Sequence, residues 1–243
     1  MKVALVTGAS KGIGKACALR LAKDGYTVVV NYSSSDAAAE ETLSQIQAAG
    51  SEGMIYKADV SKLDQVKLMI REVIKAYGRI DVLVNNAGIV RDEYLLMISP
   101  DTLDKCFELN VKGYIYCAQQ VALKMFKQKS GVIINMSSVS SKFALAGQSV
   151  YSATKGAVNS LTQTLAKELG AYGIRVNAVA PGFIATEMIE AIPEEKRKAY
   201  VEQIPLKRFG TADEVANMVS ALVSDQFAYV TGQVFVLDGG LSL

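Results

Sequence analysis

Short apolar runs rich in β-branched residues recur along the chain at 3–6, 27–31, 54–58, 80–84, 132–136, 174–179 and 233–237. Runs of that length and make-up read as buried strands. Between and after them, 12–24, 36–49, 62–77, 101–128 and 152–171 carry apolar residues at helical spacing, with polar residues on the other side. Strands alternating with helices predict right-handed βαβ crossovers. The expected fold is therefore a single-domain, Rossmann-type doubly wound α/β sheet of about seven parallel strands with helices on both faces.

No repeat, low-complexity tract or linker interrupts residues 1–243, so one domain is expected. Two regions break the alternation. Residues 86–100 follow a strand but start irregularly, and 181–210 hold three of the four prolines. Ligands of open α/β sheets sit beyond the carboxyl ends of the strands, so such insertions are candidates for a substrate pocket and its lid, here about 183–210.

Composition narrows the chemistry. Twenty-six basic residues face 24 acidic ones, which gives no electrostatic case for nucleic acid or a membrane surface. No run approaches a membrane span and the N-terminal apolar run is too short for a signal peptide, so a cytoplasmic location is expected. Cys17, Cys106 and Cys117 are scattered without metal-ligand spacing, and no metal is expected. There is no histidine at all. Any proton transfer must therefore use another side chain.

The first strand runs into GASKGIG, carrying Gly8, Ser10, Lys11, Gly12, Ile13 and Gly14, and then into a helix. Glycines there permit a tight turn and let the backbone approach a pyrophosphate at the helix N-terminus. At the end of the second strand, VVVNYSSS puts Asn31 where an NAD-binding carboxylate is expected, followed by Tyr32 and Ser33. No anion there repels a 2′-phosphate, and Lys11 could pair with one, so NADP(H) is favoured. Lys11 reads equally as a solvated loop lysine. In KADVS, Asp59 beside Val60 could accept from the adenine amino group, or could cap the helix starting near residue 61. NNAG supplies Asn86, Ala87 and Gly88 against the adenine-side ribose, though Asn and Gly also simply form turns.

At the other end of the chemistry, VIINMSSVS places Ser137 and Ser138 just past the fifth strand, and YSATK places Tyr151 and Lys155 four apart on one helix face. A phenol titrates near 10 and is a poor acid/base partner at neutrality. A lysine about 4 Å away at an effective dielectric of about 20 favours phenolate by about 4 kcal/mol, enough to bring the phenol close to working pH. That lowering is the expectation for Tyr151.

TGASKGIG, NNAG, LNVKG with Asn110, INMSS, YSATK and VAPGFIATEM occur in one order across the whole chain. Together they resemble the short-chain dehydrogenase/reductase family, and within it most closely the 3-oxoacyl-[acyl-carrier-protein] reductases. The resemblance implies Asn110, Ser138, Tyr151 and Lys155 as the catalytic set. Tyr151 would be proton donor, Ser138 the group orienting the carbonyl, and Lys155 the residue that lowers the tyrosine and holds the nicotinamide ribose. Asn110 would anchor a relay water. It further implies that Pro181, Gly182, Ile184 and Thr186 flank the nicotinamide, that a helical lid covers 186–202, and that the protein is a homotetramer. Thr186 reads alternatively as a helix cap. The implied substrate is a thioester on acyl carrier protein or CoA. Acetoacetyl-CoA and polyketide ketoreductases share nearly all these residues, as do other short-chain carbonyl reductases acting on sugars, steroids and xenobiotics, and an idle NADPH-binding module is the reading from another class. For an acidic carrier, Lys124, Lys127, Lys129, Arg175 and the 207–208 pair are the basic candidates.

Overall fold

A computed structural model describes residues 1–190 and 192–243, without the side chains of Met188 and Glu190. Nine strands are described: Lys2–Val6 (β1), Tyr26–Tyr32 (β2), Gly53–Lys57 (β3), Val82–Asn85 (β4), Gly131–Met136 (β5), Ile174–Pro181 (β6), Ile184–Ala185 (β7), Gly210–Thr211 (β8) and Val234–Leu237 (β9). Seven form one sheet in the order β3-β2-β1-β4-β5-β6-β9, every pair parallel. The strand order reverses between β1 and β4, which opens the crevice where such sheets bind ligands.

The helices are Gly12–Lys23 (α1), Asp36–Ala48 (α2), Leu63–Tyr77 (α3), Pro100–Phe107 (α4), Gly113–Gln128 (α5), Ser149–Leu169 (α6), Glu187–Glu190 (α7), Glu194–Gln203 (α8) and Ala212–Val223 (α9). Period-two alternation in the strands splits the core into two layers. Ala4, Val6, Val28 and Val30 pack on Cys17 and Leu21 of α1, Ile46 of α2 and Val215, Val219 and Leu222 of α9. Val3, Leu5 and Val29 pack on Val66, Met69 and Val73 of α3 and on Cys117, Val121 and Met125 of α5. All three cysteines are buried and unpaired, and burial pushes the Cys17 and Cys117 thiols up to about 12.

Three expectations are corrected. The helix read over 101–128 is interrupted, because Glu108–Lys112 form a π-helical turn between α4 and α5. The segment expected as one helical lid holds two helices, α7 and α8, with Pro193 at the N-cap of α8. Finally, 212–223 is a helix that apolar spacing had not singled out, closed by a Thr211–Glu214 capping box. The lid is tied to the body by a small core of Val139, Ile204 and Leu241 with Phe183 and Phe209, and by Phe183 stacked on Tyr200 at 4.5 Å. Among the described residues, no helix is long and apolar enough to cross a membrane.

Candidate active site

At the glycine loop, two glycines take left-handed backbone that disfavours any side chain: Gly8 at φ 62° and Gly12 at φ 56°. Gly14 lies directly against the Gly8 carbonyl oxygen and the Asn86 amide, where no Cβ fits. A methyl added at Gly12, by contrast, would meet nothing nearer than Thr186 Cγ2 at 4.0 Å. The loop is thus packed hard on its strand side and open toward the lid, at the N-terminus of α1. That shape suits a pyrophosphate on helix N–H groups. Ile13 packs on the core and the Ser10 carbonyl accepts from Thr42 Oγ1, so both hold the loop through the fold.

Neutral side chains lock this loop to the next strand ends. Thr7 Oγ1 accepts from the Asn86 and Ala87 N–H groups, while Asn86 Nδ2 donates to the Thr7 and Gly8 carbonyls at 3.0 and 3.1 Å. Asn31 departs from its expected place. Its side chain is buried, accepts from the Gly8 N–H at 3.4 Å and donates to the Tyr56 and Ala58 carbonyls. It braces the loop from below because its position on β2 faces the β1 turn and the end of β3. Tyr32 is buried beside Asp36, Ser33 is exposed, and Asp36 is paired with Lys57 at 3.0 Å. Lys11 is exposed and reaches Glu187 of the lid at 3.7 Å. Asp59 does not cap α3, which begins at Leu63; it accepts from the Ser61 N–H at 2.9 Å. Val60 is buried, and its carbonyl sits close over Gly113.

At the chemical end, Ser138 follows β5 and Tyr151 and Lys155 lie in the first two turns of α6. Ser138 Oγ accepts from the Ser140 N–H at 3.2 Å and from the Ser140 hydroxyl at 2.9 Å. With its lone pairs so used, its own O–H is left as a donor, and Tyr151 is its hydrogen-bond neighbour. Ser140 went unnoticed in sequence, as did Asn159, which accepts from Ser137 Oγ at 2.6 Å and donates to Ser141. One turn past Lys155, Asn159 clips α6 onto the β5 loop.

The electrostatics are the reverse of expectation. Burial pushes the Tyr151 phenol up to about 12, partly opposed by the neighbouring Ser138 hydroxyl, and Asp92 adds to the rise. Burial pulls Lys155 down to about 7. The reason is geometric. A fully buried ammonium needs an acceptor, and Lys155 Nζ donates to the Met136 carbonyl at 2.7 Å, standing 5.6 Å from the Tyr151 ring centre.

Asn110 is buried in the π-helical turn. Its amide exchanges two 2.9 Å bonds with the Ile89 backbone and donates to Thr154 Oγ1 at 3.2 Å. The side chain therefore latches the segment after NNAG to α6, and a Cβ at Gly88 would sit 3.1 Å from Asn110 Oδ1. On the far side, Pro181 and Ile184 are buried, the Gly182 N–H donates to the Leu237 carbonyl at 2.9 Å, and Thr186 looks onto Gly12. A hollow of about 500 Å3 is lined by Tyr94, Leu95, Ser140, Lys142, Leu145 and Ser152 among others, and Ser140 in its wall bonds Ser138.

The basic candidates for a carrier do not gather at this hollow. The C-terminal end of α5 and the start of β6 lie at the opposite edge of the sheet. Arg175 is spent on the Leu222, Ser224 and Val230 carbonyls, and Arg208 is paired with Glu214.

A glycine cradle and a Ser/Tyr/Lys cluster at the same edge of a parallel sheet define a dinucleotide-dependent oxidoreductase. The family described as Enoyl-(Acyl carrier protein) reductase matches residues 8–242. A 3-oxoacyl-[acyl-carrier-protein] reductase FabG of Staphylococcus epidermidis is 47% identical over 99% of this chain and 98% of its own length. A 3-oxoacyl-[acyl-carrier-protein] reductase of Synechocystis is likewise 47% identical, over 99% and 96%. Among solved structures, a short-chain dehydrogenase from Burkholderia cenocepacia in complex with NADP superposes with TM-score 0.94 at 34% identity, covering 100% of this chain and 98% of that one. The acetoin dehydrogenase YohF from Salmonella typhimurium gives TM-score 0.91 at 38% identity, covering 99% and 95%. The chain belongs to the short-chain dehydrogenase/reductase family.

Proposed function

We propose that this protein reduces a 3-oxoacyl thioester, carried on acyl carrier protein, to the 3-hydroxyacyl thioester with NADPH, as a step of fatty acid biosynthesis. The observation that carries the reading is the Ser138–Tyr151–Lys155 cluster beside the glycine cradle, in a chain 47% identical to reductases of that name. The matched family is described by an enoyl reductase. Two adjacent hydroxyls that can both donate suit a carbonyl oxygen, which favours the ketone.

Ser138 donates to the ketone oxygen and fixes its place. Tyr151, kept protonated by burial, is the acid that delivers a proton to that oxygen. Lys155, beneath it, supplies positive charge as phenolate forms. Bound NADPH supplies the hydride for the carbonyl carbon. Backbone of Gly8 to Gly14 holds its pyrophosphate, Lys11 and Ser33 its 2′-phosphate, Asp59 and Val60 its adenine, Asn86 to Gly88 and Lys155 its riboses, and Pro181 to Thr186 its carboxamide. Asp36, the carboxylate bonded to Tyr32, is paired with Lys57. The lid closes over the hollow and excludes water.

The protein works as a cytoplasmic homotetramer. Leu123 and Phe126 stand 62% and 50% exposed along α5, Phe126 against Tyr172, and Val236 and Leu243 are exposed at the last strand. Such apolar surface on helix and strand edge suits self-association.

The test is NADPH oxidation with a 3-oxoacyl carrier thioester, its CoA analogue and simple ketones. The carrier thioester is expected to have a kcat/KM at least tenfold above the CoA analogue. Equal or better use of CoA overturns the carrier assignment. No turnover with any ketone, together with tight NADPH binding, overturns the enzyme reading in favour of an idle module.

A further inference from the structure

Beneath the catalytic cluster lies a residue the mechanism has not used. Tyr114, in the first turn of α5, is buried completely. Its hydroxyl donates to the Met136 carbonyl at 3.1 Å, the same oxygen that accepts Lys155 Nζ at 2.7 Å. Its ring centre is 5.3 Å from that ammonium, within cation–π range. Met136 lies one residue past the last β4–β5 pair, Asn85 with Asn135, so its carbonyl is free to collect these two donors.

Tyr114 itself is held at both ends. Asn85 Nδ2 donates to its backbone carbonyl at 3.3 Å and to Asn135 Oδ1 at 3.0 Å, and Asn135 donates on to Thr162 of α6. Burial keeps the Tyr114 phenol far above its usual pKa, so it stays a neutral donor. Every element around the ammonium is thereby accounted for. α5 presents Tyr114, α6 presents Tyr151 and β5 presents the Met136 carbonyl, and burial is what depresses its titration.

We propose that Tyr114 is a positioning residue for Lys155. Its ring favours the charged ammonium and its hydroxyl fixes the carbonyl that holds it, raising the charged fraction of the lysine and aligning it under Tyr151. This rests on the reading of Lys155 as the cation serving Tyr151. The ring opposes the burial that pulls the lysine down to about 7. A plain apolar side chain here would fill the same space and do neither.

The test compares the wild type with Tyr114→Phe, Tyr114→Met and pentafluorophenylalanine at 114, the last keeping the shape of Phe while removing the electron-rich face. The lysine Cε carbons are labelled with 13C and titrated by NMR in the cofactor-free protein, with Lys155→Arg to assign the signal. Phe is expected to hold the Lys155 midpoint within about a third of a pH unit of wild type. The fluorinated ring and Met are expected to lower it by about one pH unit. At pH 7, kcat should fall at least several-fold in both, with KM for the ketone little changed. An unchanged midpoint with the fluorinated ring overturns the proposal, as does a Phe variant shifted as far as the others. Full turnover by Lys155→Met would overturn instead the catalytic reading of Lys155, leaving the NMR comparison intact.

Discussion

At the glycine-loop end of the cleft the side chains that brace the turn are neutral, and they bond chiefly to backbone groups. At the Ser138 end Tyr151 and Lys155 are ionisable, buried and shifted from their ordinary titration. Thr7, Asn31 and Asn86 together tie β1, β2, β3 and β4 around one turn, with no charge among them. Tyr151 and Lys155 sit at about 12 and about 7, pushed in opposite directions by the same cause. A neutral, fully bonded scaffold holds shape at any pH. A buried acid and base instead hold a free-energy difference between protonation states. The first kind of region should fail by loosening and the second by losing rate while the fold persists.

The largest expected effect follows from removing the acid. Tyr151→Phe should lower kcat/KM for the ketone by about 10² to 10⁴, with the melting temperature and NADPH affinity close to wild type. A variant that kept most of its rate would erase the distinction between the two ends.

Lys155→Met probes the stored charge without turnover. The folded-state pKa, about 7, is depressed below the ordinary 10.5. Between these values the unfolded chain binds a proton that the folded chain lacks, so this group makes stability rise as pH rises through that window. Denaturant unfolding between pH 7 and 8, below the range where the unfolded thiols and phenols titrate, should show that slope in the wild type and a flatter one in the variant. Equal slopes would mean that the lysine is not discharged by burial.

At the neutral end, Asn31→Ala removes the brace under the loop. The expected cost is about 1–3 kcal/mol in denaturant unfolding, accompanied by weaker NADPH binding and a kcat at saturation near wild type. A variant with unaltered stability would show that the bonds around Gly8 are dispensable. The smallest effect belongs to Lys11, exposed and loosely paired with Glu187. Lys11→Ala should lower the preference for NADPH over NADH about tenfold, as for loss of one charge-assisted contact, and leave the melting temperature unmoved.

Most of the fold was legible because parallel strands are buried on both faces and announce themselves as β-branched runs. All seven sheet strands fall on such runs. The glycine loop and the Tyr151–Lys155 spacing were legible because local geometry demands them. The role of Asn31 was hidden, since a strand asparagine gives no sign of which turn it faces. Lys155 was misjudged for a related reason: spacing places the ammonium on the helix face of the phenol but does not reveal the Met136 carbonyl that captures it. Nothing in the apolar pattern of 101–128 marks Tyr114 out. The π-helical turn left the apolar pattern of 101–128 intact. Helix α9 did carry a readable sign, the Thr211–Glu214 capping box at its start.

That π-helical turn has a consequence for how this chain can change. Glu108–Lys112 hold one residue more than a regular helix would use, and the surplus turns Asn110 toward Ile89 and Thr154. Deleting a single residue there would mend the helix, swinging Asn110 about 100° away from its latch. The repaired chain would be a better helix and a poorer enzyme, so the cleft depends on an irregularity that helix stability alone would remove.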